Sequence, residues 1–329
     1  MAKFSAQTLR RLGSDDLARR RLLNRSKKIF LSVFRMALFI GLIYVILYPI
    51  LYMLSTTFRT DADSLDPSVV WIPKHVTLNN LRQAFVSMKY LNSLWNTVSV
   101  MLVSALLQVG VTAVVGYGFA RFKFRFKKLL FALVLFTIVV PAQTTIIPVF
   151  VGFSNFDVLG IVRLINALTG ADIILRLTNT PLVMYLPALF GMGIRSGLFI
   201  YIFRQFFRNM PKELEEAAMI DGCGPFRSFI RVMVPNAGSV FLTATILSMV
   251  WYWNDYYLST MLMDKVMTIT VALSRLQEAL WNFVSANDLQ LMLIRMQAGC
   301  LLAILPPLIA YFLVQNKFTE SVERSGIVG

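Results

Sequence analysis

The sequence predicts an all-α integral membrane protein with six transmembrane helices. Hydrophobic residues make up 57% of its 329 residues, where soluble domains hold about 45–50%. Charged residues make up 15%, against about 25% in an average soluble domain, and mean hydropathy is +0.66. Six separate stretches reach the roughly 20 mostly apolar residues that a helix needs to cross a hydrocarbon core about 30 Å thick. They are 29–55, 94–119, 129–153, 181–203, 237–258 and 291–314.

Residues 1–28 form a basic tail with nine Lys and Arg. Ser14 can cap a short helix over 14–23, with Asp15 and Asp16 in its positive first turn. The tail reads either as a charged topology anchor or as a helix lying on an anionic membrane surface or a partner. It does not read as a cleaved signal peptide, because the apolar run after it exceeds a 7–15-residue signal core. Residues 29–314 make the membrane domain. In the order of the chain, its loops alternate in charge. The run from Arg121 to Lys128 holds five basic residues and no acid, the loop 204–235 holds five more, and the tail 315–329 holds two. With the N-terminal tail these make twenty-one Lys and Arg on one side, against eight in the other three loops. The positive-inside rule then places both termini of a multi-pass membrane protein in the cytoplasm. The same accounting explains the net charge of +15 without nucleic acid.

Several function classes drop out. Two cysteines, Cys223 and Cys300, make neither a disulfide scaffold nor a structural zinc site. A single histidine, His75, expected in an outer loop, removes His-rich metal sites and most hydrolase constellations, and no metal site is expected. No G-x-x-x-x-G-K-[ST] loop is present to cradle a nucleoside triphosphate. Asp255 is the only carboxylate inside an apolar run, whereas ion-driven carriers relay charge through several. Neither energy source is built in, so a transporter of this kind is a channel or takes its energy from another chain. The alternative is an ion-gradient-driven secondary carrier.

Polar residues within the apolar stretches each admit two readings. Gln143, Thr144 and Thr145 follow Pro141, where hydroxyls can satisfy the carbonyl that a proline frees; they can equally line a cavity. Trp251, Asn254, Asp255 and Tyr256 fall near the outer end of the fifth span. They suit an aromatic belt with structural polar contacts, or a solute pathway in which rings stack on sugar faces and Asn and Asp bind hydroxyls. Arg195 and Arg295 must face the bundle, a cavity or an end. Gly193 and Gly197 fit a small-xxx-small helix crossing.

The most legible segment is cytoplasmic, from Asn209 to Gly222. Pro211 suits a first helical position, and Glu213, Glu215 and Glu216 crowd the first turns, where the dipole favours anions. Gly222 suits a left-handed cap after about three turns. A second short helix begins near Pro225, with Phe226, Phe229 and Ile230 at helical spacing, and stops before Pro235. Ala217, Ala218 and Gly222 leave room for another protein's backbone.

The spacing E-A-A, three residues, G, nine residues, I-x-L-P stands here as Glu216-Ala217-Ala218, Gly222 and Val232-Met233-Val234-Pro235. It resembles the cytoplasmic signature of permease subunits of binding-protein-dependent ABC importers. Further pieces point to the carbohydrate branch, near the smaller permease of the maltose importer: Trp71-Ile72-Pro73, Tyr117-Gly118-Phe119-Ala120-Arg121-Phe122 and Trp253-Asn254-Asp255 among them. The N-terminal tail and the outer loop 157–180 are longer than in that pattern. The resemblance implies a type I ABC importer permease fold and half of a translocation pathway. The other parts would be a second, related permease chain, two ABC ATPase subunits that carry ATP and Mg, and an extracytoplasmic sugar-binding protein. It implies that Glu215, Glu216, Ala217, Ala218, Asp221, Gly222 and Pro225 couple to an ATPase, and that the tail from Arg324 to Gly329 reaches the same interface. No cofactor is expected in this chain, which would be a transport subunit and no enzyme.

Overall fold

A computed structural model of the chain describes residues 3–158, 160–281 and 288–326, with the backbone alone described over 3–26 and 316–326. Among the described residues every regular element is helical, apart from one isolated bridge between Arg59 and Val76. The chain divides into two compact units, Met1–Thr77 and Leu78–Gly329.

The first unit is built on α1, Lys3–Thr57. One helix runs through Ser14, where a separate short helix was expected. A serine cap is worth about 1 kcal/mol, and the run of Arg, Leu and Ala after it favours helix enough to continue. At 1.5 Å per residue, 55 residues span about 80 Å, far beyond a bilayer core. Past α1 the chain is tied down by polar contacts. Arg59 Nη2 donates to Ser55 Oγ at 2.8 Å, and Thr60 caps α2, Asp61–Leu65. Asp63 accepts from the His75 backbone amide at 2.7 Å and lies 3.1 Å from its Nδ1. Lys74 Nζ reaches Asp66 at 2.7 Å. His75 lies in a loop, as expected.

In the second unit, α3 (Asn79–Ser87) leads into α4 (Tyr90–Arg121), the helix around which the others pack. Its buried face carries small and polar residues, Ser93, Thr97, Ser104, Ala105, Gln108, Thr112, Ala113 and Gly116, which let neighbouring backbones come close. α5 (Lys127–Val139) and α6 (Ala142–Ser154) make up the third expected span, bent by 101° at Val140–Pro141. Proline disfavours helix in the residue before it and cannot donate to the preceding turn. α7 (Ile161–Thr169) lies in the long loop. α8 (Leu182–Leu189) and α9 (Ser196–Asn209) divide the fourth expected span. The break between them passes through Gly191 and Arg195, both at positive φ. After α9 come α10 (Glu213–Ile220), α11 (Pro225–Ser228), a π turn (Phe229–Met233) and α12 (Val234–Asn236). α13 (Gly238–Trp253), α14 (Tyr257–Leu262), α15 (Ile269–Ser274), α16 (Leu276–Leu280) and α17 (Leu289–Gly326) complete the unit.

All six apolar stretches are helical, but among the described residues only three helices are each long and apolar enough to cross a membrane: 27–57, 90–121 and 289–315. Counting each bent pair as one span raises the number to five. The fifth stretch ends as a helix at Trp253 rather than at 258, because Asp255 opens a new helix there.

A buried polar hub holds the break in the fourth stretch. Gln108 Nε2 donates to the Ile194 carbonyl at 2.7 Å, and Tyr252 Oη donates to Gln108 Oε1 at 2.7 Å. Gly193 lies in this break, where a Cβ would strike Gln108 and Tyr252, whereas Gly197 lies in α9 against Val134 and Thr137 of α5. The two glycines therefore serve two contacts, not one crossing. Arg195 is exposed and places its guanidinium 5.2 Å from the Trp251 ring, whereas Arg295 of α17 is buried in the bundle.

Candidate functional site

The loop after α9 is shaped by its own sequence. Met210 is extended, as a residue before proline must be, and Lys212 rather than Pro211 precedes the first helical residue. Glu215 and Glu216 amides bond back to the Lys212 carbonyl at 3.0 Å, with Glu213, Glu215 and Glu216 in the first turn. α10 has eight residues, a little over two turns rather than three. It ends as anticipated: Gly222 takes φ +78°. The Cys223 amide bonds to the Ala218 carbonyl and the Gly222 amide to the Met219 carbonyl, the paired closure of a Schellman cap. The second helix does not stop before Pro235. It widens into the π turn, in which Val234 N–H reaches the Phe229 carbonyl five residues back, and continues through Pro235, whose missing N–H falls in the first turn of α12.

The loop presents two faces. Inward, Glu215 is buried at 8% exposure. Its carboxylate accepts a hydrogen bond from Tyr117 Oη and lies 3.2 Å from Arg121 Nε. Arg121 also donates from Nη2 to the Met210 carbonyl at 2.8 Å. The Tyr117 ring packs on Phe207 and Phe229 at 5.7 and 4.9 Å. One apolar core, including Phe199, Phe203, Phe207, Phe229 and Met233, joins α4, α9, α13 and the π turn. Ala218 is buried as well. Outward stand Glu216, Ala217, Asp221, Gly222 and Pro225, flanked by Ile220 at 87% and Phe226 at 68% exposure. A Cβ at Gly222 would meet nothing within 4 Å.

Two residues grouped above with the outward ones, Glu215 and Ala218, are buried against their own chain. The residues of this loop to which sequence reasoning gave no role are the exposed Ile220 and Phe226 and, inside, Tyr117 and Arg121. The spacing of Tyr117 and Arg121, four residues apart on one helix, was the available signal for the inner pair.

The polar residues of the apolar stretches are mostly engaged with backbone. Thr144 Oγ1 donates to the Pro141 carbonyl at 2.8 Å, and Gln143 is exposed beside it. Asp255 accepts from the Ser259 amide and hydroxyl, both at 2.8 Å, capping the first turn of α14. Asn254 is exposed and donates to the Val250 carbonyl at 2.8 Å. Trp251 is half-buried and packs against Phe199 at 5.2 Å, and Tyr256 is exposed. Among the described residues no three His, Cys, Asp or Glu side chains gather as metal ligands. Of the tail to Gly329, residues 327–329 lie outside the described residues.

Comparison with known proteins bears on this arrangement. Residues 112–320 match the family described as binding-protein-dependent transport system inner membrane component. The stretch contains Tyr117, Arg121 and the whole loop. The maltodextrin transport system permease protein MdxG of Bacillus subtilis (strain 168) is 28% identical over 291 residues, covering 87% of this chain and 92% of that protein. The lactose transport system permease protein LacG of Rhizobium radiobacter is 25% identical over 293 residues, covering 88% and 93%. A chain from the crystal structure of a bacterial ABC transporter involved in the import of the acidic polysaccharide alginate shares the fold. The TM-score is 0.66 at 19% identity, over 89% of this chain and 98% of that one.

Proposed function

Because the chain belongs to the family of binding-protein-dependent transport system inner membrane components, we propose that it is the membrane-spanning permease subunit of an ATP-driven carbohydrate importer. It forms half of the translocation pathway, beside a second, related permease chain, and is multi-pass in a bacterial inner membrane with both termini cytoplasmic. Two ABC ATPase subunits hold ATP and Mg and supply the energy, and an extracytoplasmic binding protein delivers a sugar or glycoside. The cargo class rests on relatives named for maltodextrin and lactose transport.

The observation that carries this reading is the outward face of the loop. Glu216, Ala217, Asp221, Gly222 and Pro225 are all exposed, with two large apolar side chains, Ile220 and Phe226, held in solvent beside them. A short helix with a flat small-residue centre and apolar flanks suits insertion into a cleft of another protein. ATP-driven closure of that partner would pull α10 and open the pathway to the other side. The carrier alternative needs a carboxylate free to take and release an ion. Asp255 is instead committed to the amide and hydroxyl of Ser259, which favours the ATP-driven reading.

The test is purification of the chain from its native membrane in mild detergent, with mass spectrometry of what accompanies it and crosslinking from Ala217→Cys. Recovery of an ABC ATPase and a second permease, with the crosslink on the ATPase, is expected. An ATPase-free preparation with no crosslink refutes the importer reading.

A further inference from the structure

Arg121 makes two contacts from one guanidinium: Nε lies 3.2 Å from Glu215 Oε2, and Nη2 donates to the Met210 carbonyl at 2.8 Å. The first holds the opening turn of α10, the second the residue from which the chain leaves α9. Tyr117, one turn back on α4, donates to the other oxygen of the same carboxylate. The side chains of Arg121 and Glu215 are 7% and 10% exposed, so the pair is shielded from water and salt, unlike a surface ion pair. Glu216, the next residue, points outward, about 100° around the helix. α10 is thus bound on one side to α4 by charge while its other side is exposed.

α4 does not end at this contact. Gly116 lets it lie against α9, and thirteen residues before Arg121, about 20 Å along the helix, Gln108 grips the Ile194 carbonyl in the break of the fourth stretch. A displacement of α10 delivered to Arg121 therefore reaches a discontinuity in the bundle through one unbroken helix.

We propose that Tyr117, Arg121 and Glu215 form a transmission latch. They are positioning residues through which α10 passes its displacement to α4, and they do not themselves touch the ATPase. The inference rests on the importer reading and names the internal half of its coupling. It differs from a docking role in one measurable respect: breaking the latch leaves the ATPase bound and hydrolysing while uptake stops.

The experiment uses the complete complex in proteoliposomes with its binding protein, with a maltodextrin and lactose as the probes and whichever is taken up used throughout. It measures solute taken up per ATP hydrolysed and the ATPase retained on purification. Glu215→Gln keeps the shape and removes the charge. It is expected to lower uptake per ATP at least tenfold, with ATPase retained at the wild-type ratio and hydrolysis no longer raised by the loaded binding protein. Arg121→Lys keeps the charge but loses one arm, and its uptake per ATP should fall between Glu215→Gln and wild type. If Glu215→Gln yields no folded complex, Arg121→Lys reads the same quantity. Wild-type uptake per ATP in both variants, or loss of the ATPase from a folded Glu215→Gln complex, overturns the latch. Uptake independent of ATP, or a wild-type complex that holds no ATPase, overturns the importer reading instead.

Discussion

Substituting Gly116 by alanine tests the packing on which the bundle depends. A Cβ at this position would sit 2.6 Å from the Cβ of Phe203, 3.0 Å from the Arg204 amide nitrogen and 3.2 Å from the Ile200 carbonyl oxygen. Two of the three are backbone and the third is a Cβ, so no flexible side-chain end can swing away. Restoring ordinary contact near 3.6 Å requires α4 and α9 to separate by about 1 Å. Forced overpacking of this kind costs about 1–3 kcal/mol, against which alanine recovers up to ~1 kcal/mol of helix propensity. Gly110, on the same helix, is the internal control, because its Cβ would meet nothing within 4 Å. Gly116→Ala should therefore melt below wild type and Gly110→Ala at or above it. The two should differ by about 1–3 kcal/mol when thermal unfolding is followed in detergent by loss of the monodisperse peak. Equal melting of the two variants would refute the argument that α4 and α9 touch through glycine.

Three further outcomes follow from particular contacts. At Gly222, with φ +78° and open space beyond, Gly222→Asn should retain most uptake, since asparagine tolerates the left-handed region. Gly222→Arg and Glu216→Lys should abolish uptake with normal membrane levels by immunoblot; normal uptake in both charged variants would remove the docking face. Asp255→Ala should lose about 1 kcal/mol of thermal stability with its cap while Asp255→Asn keeps most of it and transports; an inactive Asp255→Asn would point to an ion relay. Hydrogen bonds from the Lys74 ammonium and then the Ser68 amide hold Asp66 down to about 2, below an unfolded value near 3.9. Its contribution is therefore full above about pH 4 and disappears as pH falls through about 2. Lys74→Met should move the carboxyl midpoint upward in a carbon-13 titration, and an unmoved midpoint would show that the pair does not form.

Much of this architecture was readable because its causes are local. The Schellman closure at Gly222 needs only a helix and a residue that accepts positive φ. The extended Met210 follows from Pro211, and the apolar stretches from the thickness of a bilayer. The errors arose where two elements compete or meet. Ser14 was a reasonable start signal, overridden by a run of helix formers. Pro235 looked like a stop and was absorbed by the π turn. Asp255 had admitted a structural or a pathway reading, and its contacts are those of a helix cap, because Ser259 lies one turn on.

Composition and spacing alone determined the membrane class, the helical stretches, the segments in which positive charge gathers and the place of the loop 204–235. Each depends on residues near one another in sequence. Only the tertiary structure decided which of two adjacent glutamates is buried in the molecule and which is exposed. Glu215 and Glu216 share a first turn and a helix dipole, and nothing local separates them. The choice is made by α4, nearly a hundred residues earlier, which brings Tyr117 and Arg121 to one side of α10 and leaves the other in water. For the same reason apolar periodicity could not tell a straight span from one bent at Pro141 or divided at 190–195. Burial asks only that a face be apolar, and the path of the backbone beneath it is set by the helices it packs against.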